Sequence, residues 1–379
     1  MKGVYTAIVT PFKKSGEIDF DAFGKLLDEQ IKAKVAGVVV AGTTGEGATL
    51  NLAEKEELFR FTKEHCPTLD LVAGTGTNNT ADSVKQTEVA LKAGIEKVLI
   101  VTPYYNKPTP KGLFAHYSAI AATGAKIVLY NVPGRTGLNI SPAALKMITE
   151  IKNVIAVKEA TGDLGRFADY LDAVGTDRFD FLSGDDFTVV PFISMGGKGV
   201  ISVLSNIYPE ICVKMVNAAL SGDFATASKI QLATNKINHA MFMESNPIPV
   251  KEALHMMKKC GNVFRSPLAT MERTIFNKLV KILNAFKEIA DTIIPQPQLI
   301  LQENNNLPQP TVFLMETRDR QPQRYLPSRK VVTQNQLNRN NWQPKKSAKS
   351  MSRQFKTIKM PSSNMKRRTR FTDKNFEEK

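Results

Sequence analysis

The chain has 379 residues, 42% hydrophobic and 23% charged, with a net charge of +15. That length and balance suit a globular protein with a large core, and exclude a small scaffold that depends on disulfides or metal. The basic excess is local: from Leu301 onward there are 18 Lys/Arg against 6 Asp/Glu, leaving 33 against 30 in the first 300 residues.

The chain opens on a short β-like run, Val4–Val9, without the charged leader, apolar core and cleavage site of a signal peptide. Apolar, β-rich runs recur at Gly37–Ala41, Leu69–Ala73, Lys97–Val101, Lys126–Tyr130, Val154–Lys158, Arg178–Leu182 and Gly199–Ser202. Between them lie amphipathic segments such as Asp19–Lys34, Ala53–His65, Ala81–Lys92 and Ala143–Glu150. Most runs are nearly continuously apolar rather than alternating, as for strands covered on both faces. Strands interleaved with helices imply βα units and a parallel sheet. Eight such runs within about 200 residues predict a (β/α)8 TIM barrel. A doubly wound open sheet competes, but it often carries a glycine-rich fingerprint after its first strand, where this chain has Thr10-Pro11-Phe12.

Beyond Ile207 the β signal stops. Glu210–Leu220, Phe224–Met243, Pro249–Lys259 and Leu268–Ala290 carry apolar residues at three- and four-residue spacing and predict helices. We therefore expect a catalytic barrel over residues 1–223 and a helical carboxy-terminal subdomain over residues 224–293. Residues 294–379 are rich in Pro, Gln, Asn, Lys and Arg and contain no glycine, although 23 precede them. This segment reads as a basic, disordered tail. Its clusters Lys345-Lys346, Lys366-Arg367-Arg368 and Arg370 offer a surface to nucleic acid, but a solvated tail without a dedicated partner is the better reading of them. Neither a nucleic-acid nor a membrane partner is expected, since no apolar stretch is long enough to span a bilayer. Cys66, Cys212 and Cys260 are scattered, as are His65, His116, His239 and His255. No metal site is legible, and unpaired thiols suit the cytoplasm.

In such a barrel, chemistry sits at the carboxyl ends of the strands. Lys158 closes the apolar run Val154–Val157, where desolvation favours the neutral amine and lowers its pKa. A neutral amine can attack a ketone and form an imine; the alternative is a structural ion pair with Glu159 or Asp185. Tyr130 ends the neighbouring strand and can move the protons that imine formation requires, with Thr43 and Tyr105 supplying hydroxyls for a relay. Arg135 can grip a carboxylate with two parallel hydrogen bonds, and Thr44 can offer its hydroxyl and amide to another. Gly184, in the run Ser183-Gly184-Asp185-Asp186, joins the substrate-binding set. The stretch Gly74-Thr75-Gly76 lacks the lysine spacing of a phosphate loop and is discounted.

The runs GTTGE, VTPYYN, YNVPGRTG, VKEATGD and SGDD, in this order and spacing, resemble the 4-hydroxy-tetrahydrodipicolinate (dihydrodipicolinate) synthase family from Val4 to about Ala290. The resemblance implies a homotetrameric barrel enzyme without cofactor or metal. Such an enzyme condenses pyruvate with L-aspartate 4-semialdehyde on the diaminopimelate route to lysine. It places the Schiff-base lysine on Lys158, the proton-shuttling tyrosine on Tyr130 and the relay threonine on Thr43. The relay tyrosine, supplied across a subunit interface, falls on Tyr105. Pyruvate's carboxylate falls to Thr44 with backbone near Ile201, and the aldehyde's carboxylate to Arg135. Lysine-inhibited relatives carry histidines where Leu52 and Lys55 stand, so weak or absent lysine feedback is expected, although Asn78, Asp82 and Tyr104 could still line part of an effector pocket. N-acetylneuraminate lyase and keto-deoxy sugar-acid aldolases resemble the same barrel, but the lyases tend to have serine at the place of Thr43 and to lack an equivalent of Arg135. A barrel that no longer catalyses and binds nucleic acid through its tail is a further alternative, disfavoured by the intact set of candidate residues.

Overall fold

The computed structural model describes residues 1–294. Eight parallel strands close into a barrel in chain order: β1 (Gly3–Ala7), β2 (Gly37–Val40), β3 (Asp70–Gly74), β4 (Lys97–Val101), β5 (Lys126–Asn131), β6 (Val154–Glu159), β7 (Asp180–Ser183) and β8 (Gly199–Ser202). β1 closes the ring, with Tyr5 opposite Gly37 of β2 on one side and Ile201 of β8 on the other. With helices between the strands, this is the expected (β/α)8 barrel.

The near-continuous apolarity of the strands has two sources. Successive side chains point to opposite faces. In β5, Val128 and Tyr130 enter the barrel interior with Val39, Val72, Leu99 and Ala156, while Ile127 and Leu129 join the larger core under the helices. Both faces are dry, so both sets are apolar until the strand reaches the barrel mouth.

Several connecting loops end on a residue built to start a helix. Asp19, Asn51, Asn79, Thr109, Ser141 and Asp163 each accept a first-turn backbone N–H with their side chains. Asn51 forms a reciprocal capping box with Glu54. Pro110 and Pro142 occupy first helical positions, where a missing N–H costs nothing.

The carboxy-terminal helices are Phe224–Ala240, Ile248–Met256 and Arg273–Ile293. They pack Ile230, Ile237, Leu254, Leu279 and Phe286 into the same outer core as the barrel helices. The second ends earlier than expected, where Lys258 turns left-handed at φ +57°. The third starts at Arg273 rather than Leu268. Before it, Arg265 spends its backbone N–H on Glu46 and its guanidinium on Gly16, Thr49 and Glu54, which holds that segment as a loop. No described helix is long and apolar enough to cross a membrane. The basic tail expected from residue 294 lies, beyond Ile294, outside the described residues.

Candidate active site

Lys158 is the penultimate residue of β6, points into the barrel mouth and is 6% exposed. Burial pulls its pKa down to about 7; the Arg135 charge adds to the shift and the Asp186 charge opposes it. The competing ion-pair role is not what the side chain does. Among the described residues Lys158 makes no ion pair, because both candidate carboxylates are committed elsewhere. Glu159 accepts from Asn131 Nδ2 at 2.9 Å and from the Thr161 N–H at 2.7 Å. Asp185 accepts from the Phe187 N–H at 3.0 Å. Asp186 anchors the loop after β8 through the N–H groups of Val203 (2.8 Å) and Leu204 (3.0 Å).

Tyr130 stands opposite Lys158, and the lysine nitrogen lies 4.1 Å from its ring centroid. Burial pushes the phenol pKa up to about 12, against the lowering influence of Arg135 and of the Thr43 hydroxyl. The phenol is therefore protonated at neutral pH, as a donor in a relay must be. Thr43, Thr44, Arg135, Tyr130, Lys158 and Gly184 line one cavity of about 320 Å³. Thr44 receives a hydrogen bond from Asn246 Nδ2 at 2.9 Å. Arg135 donates from Nη2 to the Asn246 carbonyl at 3.0 Å, which leaves other guanidinium donors for a ligand. The cavity thus brings a desolvated amine, a proton donor and a cation to one space.

The chain matches the Dihydrodipicolinate synthetase family over residues 1–286. It belongs to that family. It is 43% identical over 290 residues to the 4-hydroxy-tetrahydrodipicolinate synthase of Leptospira biflexa, covering 76% of this chain and 98% of the relative. It is 45% identical over 287 residues to that of Maridesulfovibrio salexigens, covering 75% and 98%. The solved 4-hydroxy-tetrahydrodipicolinate synthase of the methanotroph Methylacidiphilum fumariolicum SolV superposes with a TM-score of 0.75 at 39% identity, covering 77% and 98% of the two chains. A dihydrodipicolinate synthetase family member is an enzyme, a lyase of the class I aldolase type.

Ile201 and Tyr105, both singled out from the sequence, do not line this cavity with the rest. Ile201 is buried in the interior layer of the barrel, and Val203 takes its place in the wall of the cavity. Gly184 lines the cavity and also makes room for Lys158: a Cβ there would lie 2.5 Å from Ala160 Cβ and 2.9 Å from Lys158 Cε. Tyr105 is 89% exposed with φ +69° and does not line the cavity of its own chain. Lys55, expected at the effector position, is 5% exposed and donates to Gln86 in a second cavity of about 400 Å³ that shares Thr43, Tyr130 and Arg135 with the first.

Sequence reasoning missed Asn246, Phe187 and Phe242, which complete the rim. Phe187 packs on His239 (4.4 Å between ring centroids) and on Phe242 (5.8 Å) to make an aromatic side wall. Asn246 and Phe242 lie in the loop after a helix that bears no strand signal, so nothing local tied them to the barrel mouth. The glycines of Gly74-Thr75-Gly76 prove to be packing devices. A Cβ at Gly74 would collide with the Ala41 carbonyl, and one at Gly76 would lie 2.5 Å from the Val101 nitrogen.

Proposed function

We propose that Lys158 is the nucleophile by which this enzyme condenses pyruvate with L-aspartate 4-semialdehyde to 4-hydroxy-tetrahydrodipicolinate in lysine and diaminopimelate biosynthesis. The observation that carries the assignment is a buried amine, unpaired among the described residues, whose pKa is pulled to about 7, set against a protonated phenol at the barrel mouth.

The steps follow from that pairing. The neutral amine adds to the ketone of pyruvate, and the carbinolamine loses water to give the imine. Loss of a methyl proton gives the enamine, whose carbon attacks the aldehyde. The amino group of the second substrate then attacks the imine carbon, closes the ring and releases Lys158. Tyr130 moves the protons, with Thr43 and Tyr105 as its relay. Thr44 holds the carboxylate of pyruvate beside the backbone near Ile201, Gly184 leaves room beside the imine, and Arg135 holds the carboxylate of the semialdehyde. Thr43 and Arg135 favour this reaction over sugar-acid cleavage.

Assembly as a homotetramer belongs to the same proposal. Tyr105 is exposed and held in a left-handed conformation next to exposed Tyr104, so a neighbour's site is the place where its hydroxyl can serve. We also propose a catalytic barrel over residues 1–223, a helical subdomain over 224–293, and a cytoplasmic location that keeps Cys66, Cys212 and Cys260 reduced.

Borohydride reduction in the presence of pyruvate, followed by intact-protein mass spectrometry and peptide mapping, tests the assignment. A pyruvate adduct on Lys158, absent from Lys158→Ala, is expected. A folded enzyme that takes no adduct, or takes it elsewhere, would sink it.

A further inference from the structure

The turn that carries Thr43 and Thr44 is held from outside the cavity. It closes through the Glu46 N–H to the Thr43 carbonyl at 3.1 Å and the Gly47 N–H to the Gly42 carbonyl at 3.0 Å. Closing it this way puts Glu46 at φ +52°, a left-handed conformation unfavourable for a residue with a side chain. The side chain shows what maintains it. One carboxylate oxygen accepts from Lys251 Nζ at 2.5 Å, the other from the Arg265 backbone N–H at 3.1 Å.

Lys251 is wholly buried. It also donates to the Val263 carbonyl at 2.6 Å and lies over the rings of Phe12 (4.5 Å) and Phe264 (4.8 Å). It sits in the helix Ile248–Met256, just past Asn246, which donates to Thr44. One short segment therefore grips the turn twice: Asn246 holds Thr44 and Lys251 holds Glu46.

A buried ion pair is a poor source of stability. Desolvation of the two charges offsets their attraction, and an apolar pair of similar volume often holds a fold as well. What a charged pair supplies is direction, since the ammonium and the carboxylate must meet along defined hydrogen bonds. We infer that Glu46 and Lys251 are positioning residues whose pair aims the Thr43–Thr44 turn at Lys158 and thereby sets the affinity for pyruvate. Neither lines the cavity that holds Lys158, although Glu46 lines the adjoining one, so their reach to the pyruvate site is through the turn. The inference rests on the assignment of Thr44 to the carboxylate of pyruvate proposed above.

The test is the double variant Glu46→Gln/Lys251→Met in the full chain, which removes both charges at similar volume and leaves no buried charge uncompensated. The double variant is expected to fold, with a pyruvate KM raised at least about tenfold and a semialdehyde KM within about twofold, since small misplacements of a binding group are costly. Thr44→Val is measured beside it. If Thr44→Val raises the pyruvate KM and the folded double variant does not, the positioning role is overturned and the Thr44 assignment survives. If Thr44→Val leaves that KM unchanged, the assignment itself fails and the inference falls with it. A double variant that cannot fold would make the pair a folding element, which also overturns the positioning role.

Discussion

Tyr130 and Lys158 are register partners on adjacent parallel strands, with the amine 4.1 Å from the phenol ring centroid. The alternation of a strand sends Tyr130 and Lys158 inward while Asn131 and Glu159 turn outward and bond to each other at 2.9 Å. A one-residue slip between β5 and β6 would exchange these roles, so the register and the chemistry are one fact.

The depressed pKa of Lys158 makes the rate of pyruvate trapping depend on pH. Trapping should rise as pH increases through about 7, where the amine loses its proton, and level off above it. The same shift bears on stability. A lysine in the unfolded chain titrates near about 10.4, so between about 7 and that value the unfolded state holds a proton the folded state lacks, and this residue's contribution to stability rises with pH. Lys158→Met should therefore raise the unfolding free energy by roughly 1–3 kcal/mol, most of all below pH of about 7. Thermal melts of the two proteins across pH decide it, and an unchanged or lower Tm in the variant would count against the argument.

Arg135 has two separable effects. Removing a guanidinium that binds a carboxylate costs about 1.5–3 kcal/mol, so Arg135→Ala should raise the semialdehyde KM by roughly 10- to 150-fold. It should also move the trapping profile to higher pH, because the Arg135 charge helps depress Lys158. Arg135→Lys should restore the profile but recover the KM only in part, since an ammonium lacks the planar fork. Steady-state kinetics and the trapping profile read the two effects independently.

Gly184→Ala should injure catalysis without touching a polar group. Its Cβ would overlap Ala160 Cβ and press on Lys158 Cε. We expect a loss of about 1–3 kcal/mol in stability and at least a tenfold slower adduct formation, as for other overpacked sites. An alanine variant that traps pyruvate at the parental rate would remove Gly184 from the site.

Free lysine should inhibit the enzyme weakly or not at all. Lys55 stands where the resemblance to lysine-inhibited relatives would put a histidine, and although burial lowers its pKa to about 8 it is mostly cationic at neutral pH and would repel another cation. Initial rates measured with added lysine check this; inhibition at submillimolar lysine would refute it.

The barrel and the pairing of Lys158 with Tyr130 at its mouth were legible because their signals are local. A strand shows itself by a short apolar run, and a lysine or tyrosine at the end of such a run stands out against it. Arg135 and Thr44 were readable for the same reason, each lying a few residues past a strand end. Asn246 and Glu46–Lys251 were not. Asn246 meets Thr44 across 202 positions and Lys251 meets Glu46 across 205, and such contacts leave no mark on periodicity or spacing.

The order of the strands, the alternation that turns Tyr130 and Lys158 to one face, and the desolvated setting of the amine are all written locally in the chain. These depend on covalent neighbours and the two-residue period. Packing settled the rest: both nearby carboxylates are spent elsewhere, Ile201 is buried in the barrel interior, Gly184 clears space for Lys158, and a helix from the far end of the fold braces the site. Those outcomes arise when the barrel closes and the carboxy-terminal helices pack, because only then are donors, acceptors and volumes from distant segments brought within bonding distance.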